Sequence, residues 1–170
     1  MKEIFKRISK RVGGTAGAVF LAAVLVAGTA MAVAAEPTRD SYREQVEPIC
    51  KKNTNSIERI LKDVRKQVTK GELKAASGKF TRAANAFEGA TKQLKAVPKP
   101  VEDTAKLTKW IKQLETGTGL LRKMSTALKA EKKGKFSSYS SQLSTNSNIA
   151  NSIVLGFDFK YCLIDSSKFT

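Results

Sequence analysis

The sequence contains no histidine. Its absence removes Ser-His-Asp and Cys-His catalysis, histidine general bases and nearly every zinc site. Cysteine is scarce as well: Cys50 and Cys162 stand alone, and their separation rules out a thioredoxin-like CxxC pair. Aromatics make up only 7% of the chain, and no short alternating runs of β-branched residues occur, which argues against an all-β fold. Carboxylates are half as common as cations, 15 Asp/Glu against 31 Lys/Arg, for a net charge of +16. Those carboxylates show no pairing on a buried face. Glu58, Asp63, Glu72, Glu88 and Glu115 mostly alternate with Lys or Arg off the apolar stripes, as surface helix charges do. With no glycine-rich phosphate loop either, the chain reads as non-enzymatic, with no catalytic, cofactor-binding or metal-binding set.

What is present begins with an N-terminal segment. Lys2, Lys6, Arg7, Lys10 and Arg11 form a basic flank, and no charge follows from Val12 to Ala35. Ala18 to Val26 is the hydrophobic heart, and small residues close the stretch at Ala30-Met31-Ala32 and Val33-Ala34-Ala35. These three regions predict a secretory signal peptide over residues 1–35. The alternative is an uncleaved single-pass anchor, since 24 uncharged residues are long enough to span a bilayer. Either way, residues 36–170 are expected outside the membrane, in the cell envelope or the medium. Leu25-Val26-Ala27-Gly28 begins like a lipoprotein signal, but Thr29 stands where the lipidated cysteine belongs.

Beyond residue 35 the apolar spacing is helical. Ser41 with Glu44 reads as a capping box, and Tyr42, Val46, Ile49/Cys50, Ile57, Ile60/Leu61, Val64 and Val68 mark one helix face, with a kink or loose turn expected at Pro48. Asn53 falls on that stripe and reads as a satisfied core residue setting register. Thr69 and Glu72 suggest a second box beside a reversal at Gly71. The second helix carries Leu73, Ala76, Phe80, Ala83/Ala84, Phe87 and Leu94, and stops at Pro98-Lys99-Pro100. The third buries Leu107, Trp110/Ile111, Leu114, Leu121, Met124 and Leu128, with Gly117 and Gly119 marking a close crossing, a bend or a cleft. Glu131 to Gly134 ends it. The fourth, from Phe136 to Val154, is crowded with Ser, Thr and Asn that lower helix propensity, and Gly156 supplies its stop.

Four helices on short turns predict an all-α, up-down-up-down four-helix bundle. That topology sets the end of helix four beside the start of helix one, so Cys50 and Cys162 become neighbours. In an exported chain they are expected to form a disulfide.

Three landmarks carry a resemblance: Tyr42 with Ile49-Cys50; Pro98 and Pro100 before Trp110; and Gly156 with Tyr161-Cys162. Together they are similar to a broad set of uncharacterised secreted or lipoprotein-like helical proteins of actinobacteria. The resemblance implies a disulfide-closed helical bundle outside the membrane and brings no catalytic residues.

The functional expectation is electrostatic. A basic exported bundle suits anionic wall polymers or a membrane surface. The candidate residues are Lys51, Lys52, Arg59, Lys62, Arg65, Lys66 and Lys70 on helix one, with Lys132, Lys133 and Lys135 at a bundle end. The alternatives are a module that docks another envelope protein in an apolar groove, and a small-ligand carrier. Nucleic acid has charge in its favour and export against it, and the aromatics sit at core spacing rather than as stacking platforms.

Overall fold

The structure is a computed structural model and describes residues 36–169. The expected signal peptide, with Thr29, lies outside the described residues. Helix α1 spans Arg39–Leu61, α2 Val64–Thr69, α3 Leu73–Ala96, α4 Thr104–Lys129 and α5 Lys133–Ile153. No strand occurs among the described residues. The four long helices alternate in direction as expected, with α2 added at the first reversal.

Local chemistry sets each boundary, and several lie off the expected positions. The cap of α1 is Thr38, not Ser41: the Ser41 amide donates to Thr38 Oγ1 at 3.2 Å while the Thr38 amide donates to Ser41 Oγ at 2.9 Å. Ser41 is therefore the reciprocal partner of the box, one turn inside the helix. Pro48 lies within α1, which continues through it. The break comes later, at Asp63, whose φ of 62° is left-handed. Aspartate tolerates that region better than most residues, and the chain turns there into α2, which packs on α3.

The two reversals at this end share one hydrogen-bond pattern. After α2, the Gly71 amide donates to the Val68 carbonyl and the Glu72 amide to the Gln67 carbonyl. After α4, the Glu131 amide donates to Leu128 and the Lys132 amide to Ala127. Both are Schellman turns, which need a left-handed residue just past the helix. Gly71 supplies it at φ +80° as expected, whereas the second turn uses Glu131 at φ 57° and leaves Gly134 inside α5. Thr69 does not cap α3; its hydroxyl donates back to the Arg65 carbonyl within α2.

The expected apolar faces are buried. Leu73, Ala76, Phe80, Ala83, Ala84 and Leu94 of α3 meet Leu107, Trp110, Ile111, Leu114, Leu121, Met124 and Leu128 of α4. Small side chains let these helices approach, and Ser77 and Ser125 hydrogen bond between them at 3.0 Å. Gly117 marks a crossing: a methyl there would lie 3.3 Å from Asn146 Oδ1 and 3.6 Å from Phe87. α5 buries only Leu143, Asn146, Ser147 and Ala150, consistent with its polar sequence. Its last turn ends at Ile153, before Gly156.

The tail completes the bundle. A turn at Leu155–Phe157 and a left-handed Asp158 bring Phe157 and Phe159 into the core, where Phe159 lies 5.6 Å from Trp110 and 6.5 Å from Tyr42 between ring centroids. The Glu47 carboxylate accepts from the Lys160 amide at 2.6 Å and from the Tyr161 amide at 3.0 Å. On the other side, Asn151 clasps the backbone of Ile164, accepting at 2.8 Å and donating at 3.0 Å. Between those clasps Cys162 is joined to Cys50, with Cα atoms 5.0 Å apart across 112 positions. The irregular tail thus bridges α1 and α5. Two apolar clusters result: one of Tyr42, Val46, Leu94, Trp110, Val154, Phe157 and Phe159 near the disulfide, and one of Ile57, Leu61, Phe80, Met124, Leu128 and Leu143 toward the Schellman turns.

Candidate functional site

In an alternating bundle, the α1–α2–α3 connection and the α4–α5 turn fall at the same end. The candidate cations therefore divide by position. Lys62, Arg65, Lys66 and Lys70 lie on the first connection and Lys132, Lys133 and Lys135 on the second, and all seven are exposed. Two stretches of sequence that share no local motif thus meet in one basic end. Arg59 stands in the last turn of α1, just below it. Lys51 and Lys52 do not join. They lie at mid-helix, and the Lys51 ammonium sits 5.0 Å from the Tyr161 ring centroid beside the disulfide.

Charge is divided unequally along the bundle. Residues 59–79 and 123–135, which build the basic end, hold twelve Lys/Arg and three carboxylates. That is nine of the twelve net positive charges of residues 36–170. The opposite end, residues 36–47 and 95–109, holds six of each sign. Asp103 there, and Glu88 and Glu115 along the shaft, are engaged with cations. Asp103, buried, receives two hydrogen bonds at 2.8 Å from Arg39, which also lies over the Phe157 ring and has its pKa raised, chiefly by the hydrogen bond to Asp103. Glu88 is held below the usual carboxylate range, first by its hydrogen bond with Lys92 and further by Arg122, 2.6 Å away. Glu115 pairs with Lys95 at 3.1 Å. The partner of Asp103 is 64 positions away, a distance no local sequence pattern reports.

A second feature is a cleft of about 650 Å³ beside the disulfide, walled by α1, α3 and α4 and roofed by the tail. Ile57, Phe87, Leu94, Trp110 and Leu114 supply its apolar walls; Glu58, Lys160 and Asp165 belong to its lining as well. Behind its walls, Trp110 Nε1 and Asn53 Oδ1 are buried out of contact with water and have no hydrogen-bond partners. Asn53 is therefore not the satisfied core residue expected from its place on the stripe. At Gly117 and Gly119, where the sequence left a crossing, a bend or a cleft open, the structure has a crossing and a groove, and the cleft beside the disulfide is separate from both. Gly117 is closed off by Asn146 and Phe87, and Gly119 faces a shallow open groove between α4 and α5. An asparagine on the apolar stripe of α1 was the available signal for the cleft beside the disulfide.

Among the described residues, no three His, Cys, Asp or Glu side chains are grouped to hold a metal ion, and no helix is long and apolar enough to cross a membrane. Comparison of the chain with protein-family models, with curated proteins and with solved structures returns no match.

Proposed function

We propose that the chain is a non-enzymatic, exported helical module that binds anionic envelope surfaces, wall polymers or acidic lipid, through its basic end. One observation carries the reading: Lys62, Arg65, Lys66, Lys70, Lys132, Lys133 and Lys135 converge from two separate connections onto one end of the bundle. Cations gathered at one end attract a polyanion more strongly than the same charges dispersed along a shaft, because their potentials add where the polyanion docks. Export rests on the signal-like residues 1–35, and the Cys50–Cys162 disulfide is compatible with an oxidising compartment.

The test is co-sedimentation of the oxidised chain with isolated cell walls and with vesicles containing phosphatidylglycerol, at low and at physiological salt. The wild type is expected to sediment with at least one of them at physiological salt. The variant with Lys66, Lys70, Lys132 and Lys133 changed to Gln is expected to bind about a thousandfold more weakly, from about 1 kcal/mol per removed cation. Changing Lys106 and Lys109, at the balanced end, is expected to have far less effect. Sedimentation no greater than background, or equal binding by both variants, defeats the reading.

A further inference from the structure

The end of the bundle opposite the basic one carries the two most exposed large apolar side chains among the described residues, Leu155 at 76% and Val101 at 71%. Leu155 opens the short turn Leu155–Phe157 after α5, and Val101 opens the turn Val101–Asp103 before α4. Each is flanked by buried neighbours, Val154 and Phe157 on one turn and Pro100 and Asp103 on the other. With those neighbours committed to the interior, each turn holds its aliphatic group out in solvent. One guanidinium ties the two turns together: Arg39 donates two hydrogen bonds of 2.8 Å to Asp103 and lies 4.8 Å from the Phe157 ring centroid. Exposed aliphatics scattered singly are ordinary. Two at the extreme of exposure, on fixed turns that share a clasp, form a contact surface.

We propose that this end seats on a lipid bilayer, with Val101 and Leu155 in the interfacial layer, and that residues 12–35 are retained as the anchor. The sequence before α1 identifies the partner. Only Glu36, Pro37 and Thr38 separate the uncharged stretch Val12 to Ala35 from Arg39, which is both the first residue of α1 and the clasp of the two turns. Those 24 uncharged residues are long enough to span a bilayer. A chain anchored through them presents this end, not the basic one, to its membrane. Charge does not oppose the contact, because residues 36–47 and 95–109 hold six cations and six carboxylates. Moving one aliphatic side chain out of water shifts partitioning by about ten- to a hundredfold. That is too little to hold a free bundle on a membrane against its lost freedom. It is enough to orient one already tethered there. With α1 rising about 35 Å, several Debye lengths, the basic end then stands beyond the membrane's own field, toward the wall polymers. That last consequence rests on the polyanion reading; the seat itself does not.

The test places the full chain in phosphatidylcholine vesicles with brominated acyl chains, which quench an indole at contact range and offer the basic end no anionic partner. The sequence contains one tryptophan, Trp110, which is fully buried, so the wild type supplies the baseline. The emission added by Leu155→Trp, and separately by Val101→Trp, is expected to be mostly lost in brominated vesicles. The emission added by Lys133→Trp, at the basic end, is expected to persist. Tryptophan itself favours membrane interfaces, so Leu155→Trp is also combined with Val101→Asp. A carboxylate on the adjoining turn is expected to lift both turns and restore most of the emission. Val101 and Leu155 are both exposed, so these variants are expected to melt as the wild type does. The intact mass of the chain recovered from the membranes of the expressing cell is expected to include residues 1–35. Persistent emission at positions 101 and 155, equal loss at position 133, or loss indifferent to Val101→Asp overturns the seat. A recovered chain that begins beyond residue 35 overturns the anchor and the proposal with it. Neutral vesicles leave the basic end out of every readout, so envelope binding can fail while the seat stands, and the reverse.

Discussion

Tyr42 offers a test in which the sign and the size both follow from the structure. Its ring is fully buried against the tail, its hydroxyl has no hydrogen-bond partner, and burial pushes its pKa up to about 12 from 10.0. In the unfolded chain the phenol ionises near the ordinary value. Below about pH 10 both states hold the proton, and Tyr42 adds no pH dependence. Between about 10 and 12 the unfolded state releases it while the folded state keeps it. The unfolded state then binds fewer protons, so stability falls as pH rises. The loss reaches about 1.4 kcal/mol at pH near 11 and approaches about 2.7 kcal/mol once pH exceeds 12. Tyr42→Phe removes both the titration and the unpaired buried hydroxyl. The variant is expected to equal the wild type, or exceed it by up to about 1 kcal/mol, near pH 8. Its advantage is expected to grow by about 1.4 kcal/mol near pH 11. Urea denaturation followed by circular dichroism at both pH values measures this, and subtracting the curves cancels the lysines common to both chains. Parallel curves from pH 8 to 11 would refute the burial argument. A loss above about 1 kcal/mol near pH 8 would show that the hydroxyl has a partner.

Other perturbations test other parts of the fold. Replacing Cys50 and Cys162 by Ala opens a loop of 112 positions, for which chain entropy predicts a loss of up to about 4.8 kcal/mol, read as a drop in urea midpoint relative to the oxidised chain. Gly71→Ala forces a Cβ into a left-handed position where nothing lies within 4 Å to crowd it, so it is expected to cost about 1 kcal/mol through the backbone alone. Glu131→Gly relaxes the same kind of position in the other Schellman turn and is expected to raise stability by about 0.5–1 kcal/mol in thermal melts.

The long-range architecture was legible because it is written in periodicity. Apolar steps from Leu107 to Leu128 mark the buried face of α4, and alternating helices bring Cys50 to Cys162. Details set by one backbone conformation were not. Nothing in Asp63 or Glu131 announces a left-handed residue, since the preference of either side chain is weak beside that of glycine. The helix-one cap was displaced because Thr38 and Ser41 both suit the role, and the reciprocal bond between them decides it. The basic candidates were legible as residues but not as a cluster: only folding separates Lys51 and Lys52 from Lys66 and Lys132. The cleft was hidden for a different reason. Its roof is the irregular tail from Lys160 to Asp165, which has no periodicity to read.

The uneven charge along the bundle has a mechanical consequence. A body with nine net positive charges gathered at one end and none at the other carries a large electric dipole along its long axis. Near a negative plane such a body experiences a torque before it makes contact, so the basic end leads. It then stands rather than lies. α1 has 23 residues, a rise of about 35 Å, whereas a bundle this size is only about 20 Å across. An adsorbed film measured by neutron reflectometry should therefore be closer to the helix length than to the bundle width. The balanced end would form its outer face, and the disulfide and its cleft would open sideways between upright neighbours.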